Sequence, residues 1–270
     1  MRLGRIASPD GVAFVSIEGE GDSQTAKEIA EHPFGTPTFT GRSWPLADVR
    51  LLAPILASKV IAIGKNYAAH AAEMGGDAPK DPVIFIKPNT SIVGPGAAIV
   101  LPPSSNEVHY EGELAIVIGR PCKDVPASKA YEVVLGYTVA NDVSVRDFQR
   151  TRHGGQWFKG KNFDTHCPLG PWIVTADEIP DPHALAISSR INGETKQSSN
   201  TRHMVFGVSR IIAELSAGMS LEAGDIILTG TPSGVGFART PPEFLRVGDV
   251  MEMEIEGIGV LRNTVAEYRP

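Results

Sequence analysis

The chain has 270 residues, 42% of them hydrophobic and 21% charged, with a net charge of −6. That is enough for one large folded domain, or a large domain with a small appendage. The acidic balance argues against nucleic-acid binding, and no apolar run approaches the ~20 residues of a membrane-spanning helix.

The N-terminal MRLGRIASPDG has no apolar core of a secretory leader, and Cys122 and Cys167 stand in no CxxC pair. The expectation is a cytoplasmic protein with reduced thiols. RLGRIA and VAFVSIE read as short strands joined by Ser8-Pro9-Asp10-Gly11, a strong turn signal, and a stretch rich in Gly, Thr and Pro runs on to Trp44-Pro45. Residues 1–55 are expected to form a small N-terminal β-rich cap, and residues 56–270 the larger domain. From Lys59 the pattern becomes that of a core. KVIAIG is a buried strand, NYAAHAAEM a helix, GGDAPKDP a loop and VIFIK a second buried strand. Further strands are expected at 98–101, 108–118, 133–143, 172–174, 186–191, 225–229, 250–255 and 259–263. The strongest helical pattern covers 203–217, where Val205, Val208, Ile211, Ile212 and Leu215 recur at helical spacing. Many strands, few helices and no βαβ alternation predict a mixed, mostly β architecture with largely antiparallel pairing.

Within this pattern VHYEGELAIVIG, residues 108–119, poses a physical problem. It reads as a core strand, yet Glu111 and Glu113 stand two apart at its start and should share a face. A solvated edge strand is the plain explanation for such a pair. A second strand, GYTVANDVSVRD, shifts the balance because it ends in Asn141-Asp142 where the chain turns into the polar SVRDFQ helix. Three carboxylates at the ends of core strands are costly unless paired or metal-bound. With no thiolate or imidazole cluster nearby, the donor set is all oxygen. That favours Mg²⁺, with Mn²⁺ or Ca²⁺ next, and disfavours zinc.

HYEGELAIVIG followed by GYTVANDVSVRDFQ resembles the fumarylacetoacetate hydrolase family. IGKNYAAHAAEMG at 63–75, GKNFDTHCPLGPW at 160–172, GDIILTGTPSGVG at 224–236 and EIEGIGVLRN at 254–263 match further motifs of that family in order. The N-terminal cap resembles bacterial members near the acylpyruvase, oxaloacetate decarboxylase and hydroxyhepta-diene-dioate isomerase branch. The resemblance implies a fumarylacetoacetase-like β-roll with few helices, homodimers, and a metal held by Glu111, Glu113 and Asp142.

It also implies that His70 and Glu73, three apart on one helix face, form a base pair that activates water under a lid. Lys161 becomes the cation that contacts a substrate carbonyl or carboxylate, with Gln149 its polar neighbour. Thr231 in GTPSGVG supplies a hydroxyl, and the glycines let backbone amides approach a substrate carboxylate. Tyr67, beside Lys65 at the lid, is a possible substrate contact. Arg146 is ranked behind these, paired with Asp142 or a backbone carbonyl. His109 falls on the glutamate face, Glu107 lies further out, and His153 reads as a loop residue. Two positions depart from the family pattern: His166, read as a packed histidine, and Val145 in place of a commoner alanine.

The chemistry implied is a divalent ion that polarises the carbonyl of a chelated diketo or dienol acid and stabilises its enolate. Water activated by His70 would then cleave a C–C bond of an acylpyruvate. The same logic also supports decarboxylation of oxaloacetate or isomerisation of a 2-hydroxy-diene-dioate in aromatic catabolism. A metal-stabilised module without turnover is the reading outside enzymes.

Overall fold

In the computed structural model, which describes residues 1–269, the chain is mostly β. The first strands are β1 (Arg2–Ser8), β2 (Gly11–Glu18), β3 (Thr25–Ile29), β4 (Phe39–Pro45) and β5 (Arg50–Leu52). Then come β6 (Val60–Gly64), α1 (Ala68–Glu73), β7 (Val83–Lys87), β8 (Ile92–Val93), β9 (Ala98–Leu101), β10 (Val108–His109) and β11 (Gly112–Ile118). The middle of the chain holds β12 (Val134–Asn141), β13 (Ser144–Val145), α2 (Arg146–Arg150), α3 (Phe158–Lys161), β14 (Cys167–Thr175), β15 (Ala186–Ile191) and β16 (Glu194–Asn200). It closes with α4 (Val208–Ser216), β17 (Ile226–Leu228), β18 (Val250–Ile255) and β19 (Gly259–Glu267).

The long sheet runs β4-β3-β2-β1-β14-β12-β11-β17-β6-β7, and a second sheet runs β16-β15-β18-β19-β9. The strands of the N-terminal cap join the long sheet where β1 pairs antiparallel with β14. β11 lies in its centre between β12 and β17. Every residue of β11 is buried, so its GELAIVI reads as a continuous apolar run rather than an alternation. Leu114, Ile116 and Ile118 join Val139, Ile187, Met253 and Leu261 in the main core, while Ala115 and Val117 face a second cluster with Val60, Ala62 and Leu228.

Three expected elements differ. The strand expected at 108–118 is interrupted: β10 ends at His109, β11 begins at Gly112, and Glu111 falls at the break. VIFIK forms β7 at the edge of the sheet, not in its interior, and leaves Ile84 and Ile86 exposed on one face. The helix expected at 203–217 is shorter, α4. The Phe206 amide donates to Asn66 Oδ1 at 2.7 Å and the Val208 amide to His183 Nε2 at 3.0 Å, so the chain before Val208 is tied to other segments instead of to a helical turn.

The carboxylate cleft, a candidate active site

Two strand breaks build the site. β10 pairs with β13 in a separate two-stranded ribbon, whereas β11 pairs with β12 in the long sheet. Both chains therefore cross from ribbon to sheet at the same level, at Tyr110–Glu111 on one and Asp142–Val143 on the other. The crossing is pinned by the Glu111 amide, which donates to Asn141 Oδ1 at 2.9 Å, and by the Asp142 amide, which donates to the Glu111 carbonyl at 2.8 Å. Gly112 is required between the two glutamates. A Cβ there would lie 2.4 Å from Ser189 Oγ.

The result is that one oxygen each of Glu111, Glu113 and Asp142 lies within 4.8 Å of the others, and all three residues are buried. Cations answer two of them. Lys161 Nζ lies 2.7 Å from Glu111 Oε2 and 2.6 Å from Asp142 Oδ2. Arg146 Nη2 donates to Glu111 Oε1 at 2.7 Å, and Arg146 Nη1 donates to Gln149 Oε1. Arg146 thus pairs with Glu111, which corrects its expected pairing with Asp142 or a carbonyl. On the dry side, Lys87 Nζ pairs with Asp142 Oδ1 at 2.8 Å and donates to the Lys161 carbonyl. Sequence reasoning missed Lys87 because a lysine that ends a short strand usually reaches water.

Glu113 is the odd member. It accepts the Gly230 amide at 2.6 Å but shares none of the cations that serve the other two. Burial, then the charges of Asp142 and Glu111, push its carboxyl well above the usual carboxylate range. Burial also disfavours ionised Asp142, but Lys161 and Lys87 outweigh it and hold that carboxyl below its ordinary value. Lys161 mirrors this: burial lowers it, and Asp142 and Glu111 more than compensate, so it stays ammonium. A buried carboxylate with no cation of its own, facing two others through oxygen donors only, fits a hard divalent ion. The cluster can hold one through Glu111, Glu113 and Asp142.

The cluster forms the floor of a cleft of about 190 Å³ that is also lined by His70, Gln149, Lys161 and Thr231, all of them buried. Its walls include Phe85 and Trp157, whose rings meet edge to face at 5.6 Å. Trp157 lies so close to Gly64 that a Cβ there would be 2.4 Å from its ring. On α1, His70 Nδ1 bonds Glu73 Oε1 at 2.7 Å, and Glu73 Oε2 accepts the Gly234 amide at 2.9 Å. α1 is therefore fastened to the 230–236 loop.

In that loop two amides engage the protein's own carboxylates, Gly230 on Glu113 and Gly234 on Glu73. Thr231 Oγ1 donates to the Gly112 carbonyl at 3.0 Å and accepts from Gln197 Nε2 at 2.7 Å. Tyr67 is 1% exposed and lies behind the wall, its hydroxyl unpartnered and raised by burial and by Glu113. His166 is packed beside Phe163, as expected, and burial pushes it down to about 4. His109 is also fully buried, 3.7 Å from Glu111.

Comparison with known proteins matches residues 59–266 to the fumarylacetoacetate (FAA) hydrolase C-terminal family, and residues 1–54 to the Rv2993c-like N-terminal family. Protein Rv2993c of Mycobacterium tuberculosis is 60% identical over 268 residues, 98% of each chain. The mitochondrial oxaloacetate tautomerase FAHD2A of Bos taurus is 51% identical over 222 residues, 82% of this chain and 71% of that protein. A crystal structure of 5-carboxymethyl-2-hydroxymuconate delta-isomerase from Mycobacterium smegmatis superimposes with a TM-score of 0.90 at 59% identity, covering 99% of this chain and 100% of that one.

Proposed function

The chain belongs to the fumarylacetoacetate hydrolase family, and from that premise we propose that it moves a proton at the carbon next to the carbonyl of a small 2-oxo acid, as a tautomerase or isomerase. The observation that carries this reading is the placement of His70. It lines the cleft beside the three carboxylates while Glu73 engages its Nδ1. Glu73 fixes the ring with Nδ1–H as donor, which leaves the Nε2 lone pair as the base.

A divalent ion on Glu111, Glu113 and Asp142 would supply Lewis-acid polarisation of the 2-oxo group. The chain's own groups do the rest. His70 Nε2 takes a proton from C3, the C–H electron pair becomes the C2=C3 bond, and charge develops on the 2-oxo oxygen. Lys161 stabilises that charge. The imidazolium then gives that proton to the 2-oxo oxygen, which completes the keto-to-enol shift, and ketonisation runs the same steps in reverse. Phe85 and Trp157 keep bulk water from the exchanging proton. A cleft of about 190 Å³ is smaller than the roughly 300–1,000 Å³ of drug-sized pockets, so the substrate is a small acid. The tautomerase and isomerase names of the relatives agree with this reading.

Hydrolysis of an acylpyruvate is the second reading, favoured by the same His70–Glu73 pair, which is equally suited to activating water. One panel separates them: decay of the enol absorbance of oxaloacetate, and pyruvate release from acetylpyruvate, fumarylpyruvate and oxaloacetate, each with Mg²⁺ and with chelator. Chelator-sensitive enol decay without pyruvate supports proton transfer. Pyruvate from the acylpyruvates makes the protein a C–C hydrolase, and pyruvate from oxaloacetate alone a decarboxylase.

A further inference from the structure

Two cations at the cleft have no assigned partner. Lys65 and Arg150 both line it. The inner cations are already engaged, Arg146 by Glu111 and Lys161 by Glu111 and Asp142. Among the described residues, neither Lys65 nor Arg150 forms a salt bridge. Arg150 is exposed at the rim, with its guanidinium carbon 4.7 Å from the Phe237 ring centroid and its charge felt by Arg146.

Their positions are built. Arg146 and Arg150 are one turn apart on α2 and share a face. The helical rise sets Arg150 about 6 Å further along the helix from Arg146. Lys65 follows β6, and its φ of 56° is the left-handed region that a lysine rarely adopts. Strained backbone of this kind persists where surrounding structure holds it, often at ligand contacts. The cleft thus combines an inner carboxylate cluster, with its own cations, and an outer pair of unpaired cations.

We propose that Lys65 and Arg150 form a second anion subsite, which receives the distal carboxylate of a dianionic substrate and makes the enzyme selective for diacids. This rests on the 2-oxo acid reading above. One end of the substrate lies at the carboxylate floor with its 2-oxo group, and the far carboxylate reaches the guanidinium of Arg150. Arginine suits that role because its planar fork accepts a carboxylate through two parallel hydrogen bonds.

The test compares oxaloacetate with its 4-methyl ester, which keeps the chain but removes the distal charge. Turnover and calorimetric binding are both measured with Mg²⁺ present, for the wild type, Arg150→Gln and Lys65→Asn. Asparagine tolerates the left-handed backbone at position 65, and thermal unfolding checks that each variant is folded. The wild type is expected to favour the diacid. Each variant is expected to reduce that preference by about ten-fold, through KM more than kcat. Equal losses for diacid and ester, or no diacid preference in the wild type, overturn the subsite. Binding that discriminates by Arg150 without turnover of either compound supports the subsite and overturns only the proposed reaction.

Discussion

Lys87 and Asp142 form an ion pair at 2.8 Å with both side chains shut off from water. Lys87 does not line the cleft, so it serves as a fixed counter-charge behind the carboxylate cluster. Removing one member of a buried pair costs about 3–5 kcal/mol when the other is left with no partner. Asp142 keeps Lys161 at 2.6 Å, so Lys87→Met is expected to destabilise the metal-free protein by less than that, about 1–3 kcal/mol, in denaturant titration. Adding Asp142→Asn should recover much of the loss, because no orphaned charge remains. A single variant as stable as the wild type would mean the pair contributes nothing.

Glu113 should respond in the opposite sense. Its carboxyl is pushed up by burial and by the two neighbouring carboxylates, so keeping it ionised works against the fold at neutral pH. Glu113→Gln is expected to stabilise the metal-free protein by about 1–2 kcal/mol. The same change should weaken Mg²⁺ or Mn²⁺ binding at least ten-fold in calorimetry, and Glu111→Ala should abolish it. Unchanged ion affinity in both variants would remove the cluster as a metal site.

His70→Ala separates catalysis from assembly. His70 touches none of the three carboxylates through a salt bridge; its partner is Glu73. The variant is expected to fold and to bind Mg²⁺ as the wild type does, while turnover drops by about 10²–10⁴. Glu73→Gln should lose less, since the imidazole remains but its orientation and the tie to the Gly234 amide are weakened. Stopped-flow enol decay is the measurement, and a His70→Ala enzyme with normal rates would exclude His70 from proton transfer.

The carboxylates were legible in the sequence because charge at the ends of apolar strands is physically conspicuous, and three of them imply a common counter-charge. The route by which they meet was not. Strand alternation placed Glu111 beside Glu113, but Glu111 lies at a break between two sheets and is aimed by Asn141 and Asp142. That break depends on β10 pairing with β13, a non-local contact that periodicity does not encode. Lys87 and Arg150 were invisible for a related reason. A lysine at a strand end and an arginine at a helix end carry no pattern, and only tertiary structure makes one a buried counter-charge and the other part of a cleft wall. The mostly β fold followed from turn chemistry and strand count. The start of α4 did not, because Asn66 and His183 decide it from distant segments.

His166 gives the protein a pH-dependent stability. It is fully buried beneath Phe163, its Nε2–H donates to the Val100 carbonyl at 3.0 Å, and burial holds it down to about 4. A histidine that resists protonation when folded, but titrates near 6.5 when unfolded, binds more protons in the unfolded chain throughout that window. Its stabilising contribution is therefore complete above pH 6.5 and is lost as pH falls toward 4. The drop of about 2.5 pH units corresponds to roughly 3 kcal/mol. His109, pushed well below its ordinary value chiefly by burial, adds a slope of the same sign. Urea titrations between pH 7 and pH 4 should show wild-type stability falling on acidification. In His166→Gln the fall should be shallower by about 3 kcal/mol, with the remainder assigned to His109 and the carboxylates. Parallel curves for the two proteins would show that His166 is protonated equally in the folded and unfolded states.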